Sequence, residues 1–125
     1  MPPMKQHILV IDDEAPIREL LRSYFEKQGY TVSTAATAAE AVGACAEVRF
    51  DLIILDVVLG DADGLELLPN LKQSHPALPV IVMTGIGFDD ELRKAARQRG
   101  AAGYVSKTSP LNELLAEVQG LIPSQ

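Results

Sequence analysis

Short apolar segments alternate with longer amphipathic segments five times along the chain, and this alternation restricts the fold more than any other feature. Five apolar or β-branched runs predict strands at 7–11, 30–35, 52–55, 79–83 and 102–106. Five segments with helical spacing predict helices at 15–28, at 37–48, from 63, at 89–99 and from 109. The first, third and fourth strands are apolar almost throughout, as in parallel sheets covered by helices on both faces. With right-handed crossovers, the sequence predicts a doubly wound α/β fold with a five-stranded parallel sheet.

Local signals refine the predicted helix boundaries. Thr37 and Glu40 form a capping-box pattern at the start of the second helix, and Asp63 begins a similar pattern at the start of the third. Pro69 falls inside the third helix, where its missing backbone donor predicts a kink or a shortened helix. Gly120 predicts the end of the fifth helix.

The composition indicates a single globular domain. A length of 125 residues corresponds to about one domain, with a core at about 6–122, and 47% hydrophobic residues can form that core. The net charge of -6 argues against direct binding of nucleic acid. No apolar run approaches the roughly 20 residues of a membrane helix, and the start lacks a signal-peptide pattern. The lone Cys45 cannot form an internal disulfide, which fits a reducing compartment. Because the chain also lacks a membrane helix and a signal peptide, we expect a cytoplasmic protein that does not associate with membranes.

Polar side chains collect where the predicted strands end. Asp12 and Asp13 follow the first strand, and Asp56 follows the third. Thr84 follows the fourth strand and Lys107 the fifth. Because parallel strands point the same way and ligands bind outside their carboxyl ends, these residues share one edge of the sheet. Any one of them could simply mark a strand exit, but three acids, a hydroxyl and a lysine together indicate a functional site.

The chain resembles a known family in four stretches: ILVIDDE (8–14), DLIILDVVLGDADGLELL (51–68), VIVMTG (80–85) and GAAGYVSK (100–107). In order and spacing they resemble response-regulator receiver domains of the CheY-like superfamily, which act in two-component signalling. The resemblance covers nearly the whole chain. It implies a flavodoxin-like fold with the strand order 2-1-3-4-5.

That strand order makes the acids neighbours. The first and third strands lie about 4.8 Å apart, so Asp12, Asp13 and Asp56 crowd one pocket. Two like charges about 4 Å apart repel by on the order of 4 kcal/mol at an effective dielectric constant near 20. Lys107 offsets part of this repulsion. Magnesium, which takes a few hard oxygen ligands and keeps several waters, suits the rest.

The resemblance implies a role for each residue of this pocket. Asp56 is the expected acceptor of a phosphoryl group from a phosphohistidine on a sensor histidine kinase or phosphotransfer protein. Asp12 and Asp13 are expected to hold Mg²⁺, together with Asp56 and the backbone carbonyl of Val58. Lys107 is expected to neutralise charge on the phosphoryl group.

The resemblance also implies a switch. Thr84 would move to bond the phosphoryl group, Gly85 leaves room beside it, and Tyr104 would change rotamer with that move. Tyr104 could instead be an ordinary half-buried aromatic residue of the strand. The change would alter the face formed by the fourth helix, fifth strand and fifth helix, and so control an output domain or downstream protein. A phosphorylation-dependent homodimer through this face is an open alternative.

Two positions bear on the lifetime of the phosphorylated state, and two others depart from the family pattern. Val58 and Ile86 occupy the positions that border the hydrolytic water in the family. Because both are apolar, we expect slow hydrolysis, suited to slow outputs such as transcription, although side chains that point away would leave the rate ordinary. Gly60 stands where the family usually has proline. Thr108 replaces a proline that often follows a cis bond, so we expect a trans bond after Lys107.

Two other readings are weaker. Phosphatases related to haloacid dehalogenases carry a second acid two residues after the nucleophile, where this chain has Val58. A receiver-like scaffold that is never phosphorylated usually lacks one of the acids, the threonine or the lysine, and all are present here. We therefore expect a signalling receiver that catalyses only its own phosphorylation and dephosphorylation. Few residues follow the fifth helix, so we expect one receiver domain over 1–125 without an output domain, either independent or part of a longer regulator.

Overall fold

A computed structural model describes residues 5–85 and 89–122. The strands are β1 (His7–Ile11), β2 (Thr31–Ala35), β3 (Leu52–Asp56), β4 (Val80–Thr84) and β5 (Gly103–Ser106). The helices are α1 (Ala15–Lys27), α2 (Ala38–Glu47), α3 (Gly64–Ser74), α4 (Asp90–Gln98) and α5 (Leu111–Leu121). The alternation predicted from the sequence is confirmed, with small shifts at the ends of the elements.

The five strands form one parallel sheet in the order β2-β1-β3-β4-β5. The doubly wound, flavodoxin-like fold is therefore confirmed. In this order β1 and β3 lie side by side, although a helix, a strand and a second helix separate them along the chain. The order in which strands are added reverses between β1 and β3, and this leaves a crevice at the carboxyl edge of the sheet, where ligands bind in folds of this class.

Alternate residues of the central strands face two apolar layers. One layer packs against α2, α3 and α4 and includes Leu9, Ile11, Ile53 and Leu55. The other packs against α1 and α5 and includes Ile8, Val10, Leu52 and Ile54. All eight of these side chains are fully buried, and burial of each such side chain stabilises the fold by roughly 1.5–3 kcal/mol. The central strands therefore form a rigid base for the residues at their ends.

The predicted helix starts are confirmed at α2 and α3. Thr37 Oγ1 accepts a hydrogen bond from the Glu40 amide at 3.1 Å. The Glu40 carboxylate reaches back to the amide of Ala36 at 2.6 Å, one residue before the position that a capping box usually uses. Asp63 Oδ1 accepts from the Leu65 amide at 2.9 Å and begins α3.

Pro69 does not shorten α3, contrary to one expectation from the sequence. The helix continues to Ser74 because Leu68 and Leu71 bury their side chains in the core on either side of the proline. Pro69 itself is exposed, so its interruption of the helical hydrogen bonding faces water rather than the core.

The expectation that α5 stops before Gly120 is wrong. The helix includes Gly120 and ends at Leu121, since Val118 and Ile122 are both buried in the core and hold its last turn in place. The bond between Lys107 and Thr108 is trans, as expected, and the described residues contain no cis peptide bond. Within the same ranges, no helix is long and apolar enough to cross a membrane.

Candidate functional site

The polar strand ends come together at the carboxyl edge of the sheet. The register of β1 and β3 places Asp12 beside Asp56. On the other side of β3, the Lys107 amide donates a hydrogen bond to the Thr84 carbonyl at 2.7 Å and joins the ends of β4 and β5. Asp12, Asp56 and Thr84 are buried, so this edge holds three polar side chains that the apolar core alone would not favour.

The Lys107 amine is the cationic centre of this cluster. Its Nζ atom lies 2.8 Å from Asp56 Oδ2, 2.9 Å from Asp12 Oδ2 and 3.1 Å from Glu14 Oε2. The lysine side chain is only 14% exposed and both aspartates are buried, so water screens these two contacts weakly, whereas the Glu14 side chain is 58% exposed. One amine therefore faces three carboxylates, and the sequence alone had indicated no role for Glu14.

Asp12 has a structural function as well as a charge. Its Oδ1 atom accepts a hydrogen bond from the Glu14 amide at 2.8 Å, which orders the turn before α1. Its backbone carbonyl accepts a hydrogen bond from the Arg18 guanidinium at 2.8 Å. Its Oδ2 atom is at ion-pair distance from Lys107 but lacks the directional geometry of a hydrogen bond.

Three carboxylates of this edge can converge on one cation. One oxygen from each of Asp12, Asp13 and Asp56 lies within 4.8 Å of the others. Asp13 is exposed, whereas Asp12 Oδ2 is buried and receives no hydrogen bond within the described ranges. Carboxylate oxygens with an open, water-facing side are the ligands that hard divalent cations prefer. The residues present therefore fit a site for such a cation.

The pKa values of both partners in the central ion pair are raised. Removal from water raises the pKa of the Asp56 carboxyl; the hydrogen bond from Lys107 opposes the rise and the charge of Asp12 adds to it. Burial alone would lower the pKa of Lys107, but its contacts with Asp56, Asp12 and Glu14 outweigh burial and raise that pKa. Burial is the main cause of the rise at Asp56, whereas the surrounding carboxylates cause the rise at Lys107, and a bound cation would offset their negative charge.

A small hairpin follows the acceptor strand, and we call residues 57–63 the acceptor loop. The Leu59 amide donates to the Ala62 carbonyl at 3.1 Å, and Val58 forms a bridge with Asp63. The Val58 amide donates to Asp56 Oδ1 at 3.3 Å and so orients the carboxylate. Among residues 5–85 and 89–122, the backbone hydrogen bonds of this hairpin use the carbonyls of Val57 and Ala62, which leaves the Val58 carbonyl available as the predicted cation ligand.

Gly64 closes the acceptor loop against the strand that carries Asp56. Its amide donates to the Val57 carbonyl at 2.7 Å. A Cβ atom at this position would collide with the Asp56 carbonyl oxygen and lie 3.0 Å from Val57 Cα. The close approach shows that Gly64 sets the position of the Asp56 backbone.

Thr84 and Gly85 adjoin Lys107, and Tyr104 lies close to Thr84. Thr84 is buried and Tyr104 is half-buried, against α4. The Tyr104 hydroxyl is buried, and within the described ranges it has no hydrogen bond of good geometry. Burial and the nearby charge of Asp89 raise its pKa, whereas the Thr84 hydroxyl opposes that rise. A Cβ atom on Gly85 would lie 3.7 Å from Lys107 Cδ, which is ordinary contact, so the space there would also admit alanine.

The two residues expected to affect phosphoryl lifetime differ in what the structure shows. The Val58 side chain is 59% exposed and stands two residues after Asp56. Ile86 lies outside the described residues. The structure therefore brings together Asp12, Asp13, Asp56, Val58, Thr84, Gly85, Tyr104 and Lys107, and adds Glu14, Arg18 and Gly64.

Comparison with known proteins identifies this arrangement. The sequence model described as the response regulator receiver domain matches residues 8–119. The chain belongs to this family. It is thus a receiver domain of two-component signal transduction, and the resemblance inferred from its four sequence stretches is confirmed.

Three relatives illustrate the match. Response regulator MprA of Mycobacterium ulcerans is 38% identical over 119 residues, which are 95% of this chain and 51% of MprA. Transcriptional regulatory protein ResD of Bacillus subtilis is 34% identical over 115 residues, 92% of this chain and 47% of ResD. A response regulator of Burkholderia pseudomallei, solved with a phosphorylated aspartic acid, calcium ion and citrate, is 30% identical with a TM-score of 0.85, over 92% of this chain and 67% of that one. The chain spans about half the length of the two curated relatives.

Proposed function

We propose that Asp56 accepts a phosphoryl group from a phosphohistidine on a sensor histidine kinase or phosphotransfer protein. The observation that carries the proposal is the position of Asp56: a buried carboxylate at the end of β3, 2.8 Å from Lys107 and beside Asp12. A carboxylate placed in such an acidic cluster is unfavourable for folding alone. A site that receives an anionic group together with a cation explains the placement.

The transfer conserves charge and atoms in a simple way. A carboxylate oxygen of Asp56 attacks the phosphorus, and the bond between phosphorus and the imidazole nitrogen breaks. The imidazole keeps the electron pair and takes up a proton, while Asp56 becomes an acyl phosphate. Lys107, already within 2.8 Å of the acceptor carboxylate, would donate to a phosphoryl oxygen and offset charge in the transition state.

We further propose that the cation is Mg²⁺, held by Asp12, Asp13, Asp56 and the Val58 carbonyl. When bound, Mg²⁺ would supply additional neutralisation of the transferring group. The carboxylate oxygens within 4.8 Å of one another support this proposal, as do the phosphorylated aspartic acid and calcium ion of the Burkholderia relative.

Thr84 and Tyr104 are the proposed switch that reports phosphorylation. The Thr84 hydroxyl would bond the phosphoryl group, and Tyr104, whose hydroxyl is buried close by, would change position with it. The affected face is formed by α4, β5 and α5, with Leu92 and Leu111 half-buried near it. Through this face the domain would control an output domain or a downstream protein, or form a phosphorylation-dependent homodimer.

We place this activity in the cytoplasm, where a kinase can use ATP and a lone thiol stays reduced. Because the chain spans about half of MprA and ResD, an output domain elsewhere in a longer protein is one route of signalling. The name of ResD favours transcription as the output. The only reaction proposed for this chain is the gain and loss of its own phosphoryl group.

Phosphorylation by acetyl phosphate with Mg²⁺ tests the proposal directly. Intact-mass spectrometry should detect one added phosphoryl group on the parent chain and none on Asp56→Asn. Asp90→Asn, a matched loss of one exposed carboxylate on α4, should be labelled like the parent. Equal labelling of Asp56→Asn and the parent would contradict the assignment.

A further inference from the structure

We propose that Asp61 is a positioning residue that ties the tip of the acceptor loop to the start of α2 and so holds the Val58 carbonyl where the cation needs it. This inference rests on the proposed function, because it concerns the binding of Mg²⁺ at that site. The base and the tip of the loop are held by different contacts, and Asp61 supplies the contact at the tip.

The base of the acceptor loop is fixed by its own backbone and by the core. The Gly64 amide bonds the Val57 carbonyl at 2.7 Å, and the Leu59 amide bonds the Ala62 carbonyl at 3.1 Å. The Leu59 side chain is buried in the apolar layer under α2 and α3. Gly60 and Asp61 form the two-residue tip between these bonds, and both are exposed.

The contact of Asp61 reaches a different part of the fold. Its Oδ1 atom accepts a hydrogen bond from the Ala38 amide at 3.0 Å, across 23 positions of sequence. Ala38 is the first residue of α2, where backbone amides have no acceptor within the helix and where the helix dipole favours a negative charge. Thr37 and Glu40 accept hydrogen bonds from two other amides near this helix start. Asp61 differs from them because it comes from a separate element, the acceptor loop.

The glycine at the tip makes the hydrogen bond between Asp61 and Ala38 important. Gly60 stands where the family resemblance leads us to expect proline, and glycine has the greatest backbone freedom of any residue. The tip also adjoins the cation ligands, since a Cβ atom on Gly60 would lie 3.7 Å from Asp13 Oδ2. A loop that spends part of its time in other conformations binds its ligand more weakly, in proportion to the competent fraction. Asp61 would therefore replace the restraint that a proline could supply.

Backbone NMR of three variants tests the tie in two ways. In the metal-free protein, Asp61→Ala should speed hydrogen exchange of the Leu59 amide relative to amides of the central strands. In a Mg²⁺ titration followed by amide shifts, Asp61→Ala should bind about fivefold more weakly than the parent. Asp61→Asn keeps an acceptor oxygen for the Ala38 amide and should bind Mg²⁺ nearly as well as the parent. Thr37→Ala, which weakens the same helix end without touching the loop, should also bind as the parent does.

The outcomes separate this inference from the proposed function. If the parent chain binds no Mg²⁺, the proposed cation site fails, and the exchange rates still test whether Asp61 orders the loop. If the parent binds and Asp61→Ala binds equally well, the tie has no effect on the site and the inference is wrong. Equal weakening in Asp61→Asn would assign the effect to charge, and equal weakening in Thr37→Ala would assign it to general loosening of α2. Either result overturns the inference.

Discussion

The Lys107 amine lies 2.8 Å from Oδ2 of Asp56, and this contact joins the end of β5 to the end of β3 across the intervening strand β4. The side chain therefore bridges the strand that carries Thr84. Any group that adds to Asp56 must displace or share this amine. Phosphorylation of Asp56 would therefore affect the ends of β4 and β5 through the Lys107–Asp56 contact, which already exists in the unmodified protein.

Lys107→Ala should weaken both the fold and the phosphorylation response. Loss of the amine leaves Asp56 and Asp12 buried without their counter-charge, and breaking a buried ion pair typically costs about 3–5 kcal/mol. Because Lys107 keeps some exposure, we expect a loss of about 2–3 kcal/mol in the free energy of unfolding, measured by urea at neutral pH without metal. Lys94→Ala, on the exposed side of α4, is the control and should be nearly neutral.

The loss in Lys107→Ala should depend on pH in one direction. Without the amine the pKa of Asp56 in the folded state would rise further above its unfolded value. Such an acid is protonated in both states at low pH and destabilises the fold only once it ionises. The difference in unfolding free energy between parent and variant should therefore be small below about pH 4 and grow towards neutrality. A pH-independent difference would show that lost packing, rather than charge, is responsible.

The two acids after β1 should behave differently when each is removed. Asp13 is exposed, so Asp13→Ala should leave metal-free stability within about 0.5 kcal/mol of the parent and weaken Mg²⁺ binding. Asp12→Ala also loses the hydrogen bond to the Glu14 amide and should destabilise the protein by about 1–3 kcal/mol. Urea unfolding in a chelator and a Mg²⁺ titration measure the two effects. Similar destabilisation by both substitutions would refute the distinction.

Gly64→Ala should distort the acceptor strand. The new methyl group would collide with the Asp56 carbonyl, which belongs to a buried strand and cannot easily move. Overpacking typically costs about 1–3 kcal/mol, and we expect a loss at the upper end together with slower labelling by acetyl phosphate. Gly43→Ala is the matched control: its Cβ atom meets nothing within 4 Å, and it should stabilise α2 by about 0.5–1 kcal/mol. Equal stability of the two variants would contradict this role for Gly64.

The sequence predicts the fold and the centre of the site because both depend on local patterns. Apolar strands that end in polar residues reveal Asp12, Asp56, Thr84 and Lys107, and a parallel sheet must bring those ends to one edge. The helix ends were less predictable. Proline and glycine propensities suggested breaks at Pro69 and Gly120. Burial of the flanking leucine, valine and isoleucine side chains stabilises the two helices more than these propensities destabilise them.

The remaining contacts of the site depend on tertiary packing and on side-chain conformation, which no local sequence pattern predicts. Glu14 follows the predicted acid pair, but its contact with Lys107 depends on how the lysine side chain crosses the sheet edge. Gly64 resembles an ordinary turn residue until its distance to the Asp56 carbonyl is known. Asp61 and Ala38 belong to elements that only the packing of α2 beside the acceptor loop brings together.

Val58 provides a test of how long the phosphorylated state lasts. Its side chain is 59% exposed and its amide donates to Asp56 Oδ1. The family resemblance implies that this side chain borders the route by which water would approach an acyl phosphate on Asp56. An isopropyl group cannot hydrogen-bond that water. We therefore expect slow hydrolysis in the parent and faster hydrolysis in Val58→Asn, whose amide can orient the water. Each 1.4 kcal/mol removed from the barrier speeds the step about tenfold, which sets the expected size of the effect.

Decay of radiolabelled phosphoryl groups after removal of the donor measures this rate. Val42→Asn makes the same chemical change at an exposed position on α2, where the parent side chain is 51% exposed, and should leave the rate unchanged. The sequence also assigns Ile86 to this route, so Val58→Asn combined with Ile86→Glu should decay faster than the single variant if both residues exclude water. Decay of the double variant at the parent rate would show that neither side chain controls access, and the expectation of a long-lived phosphorylated state would then lose its physical basis.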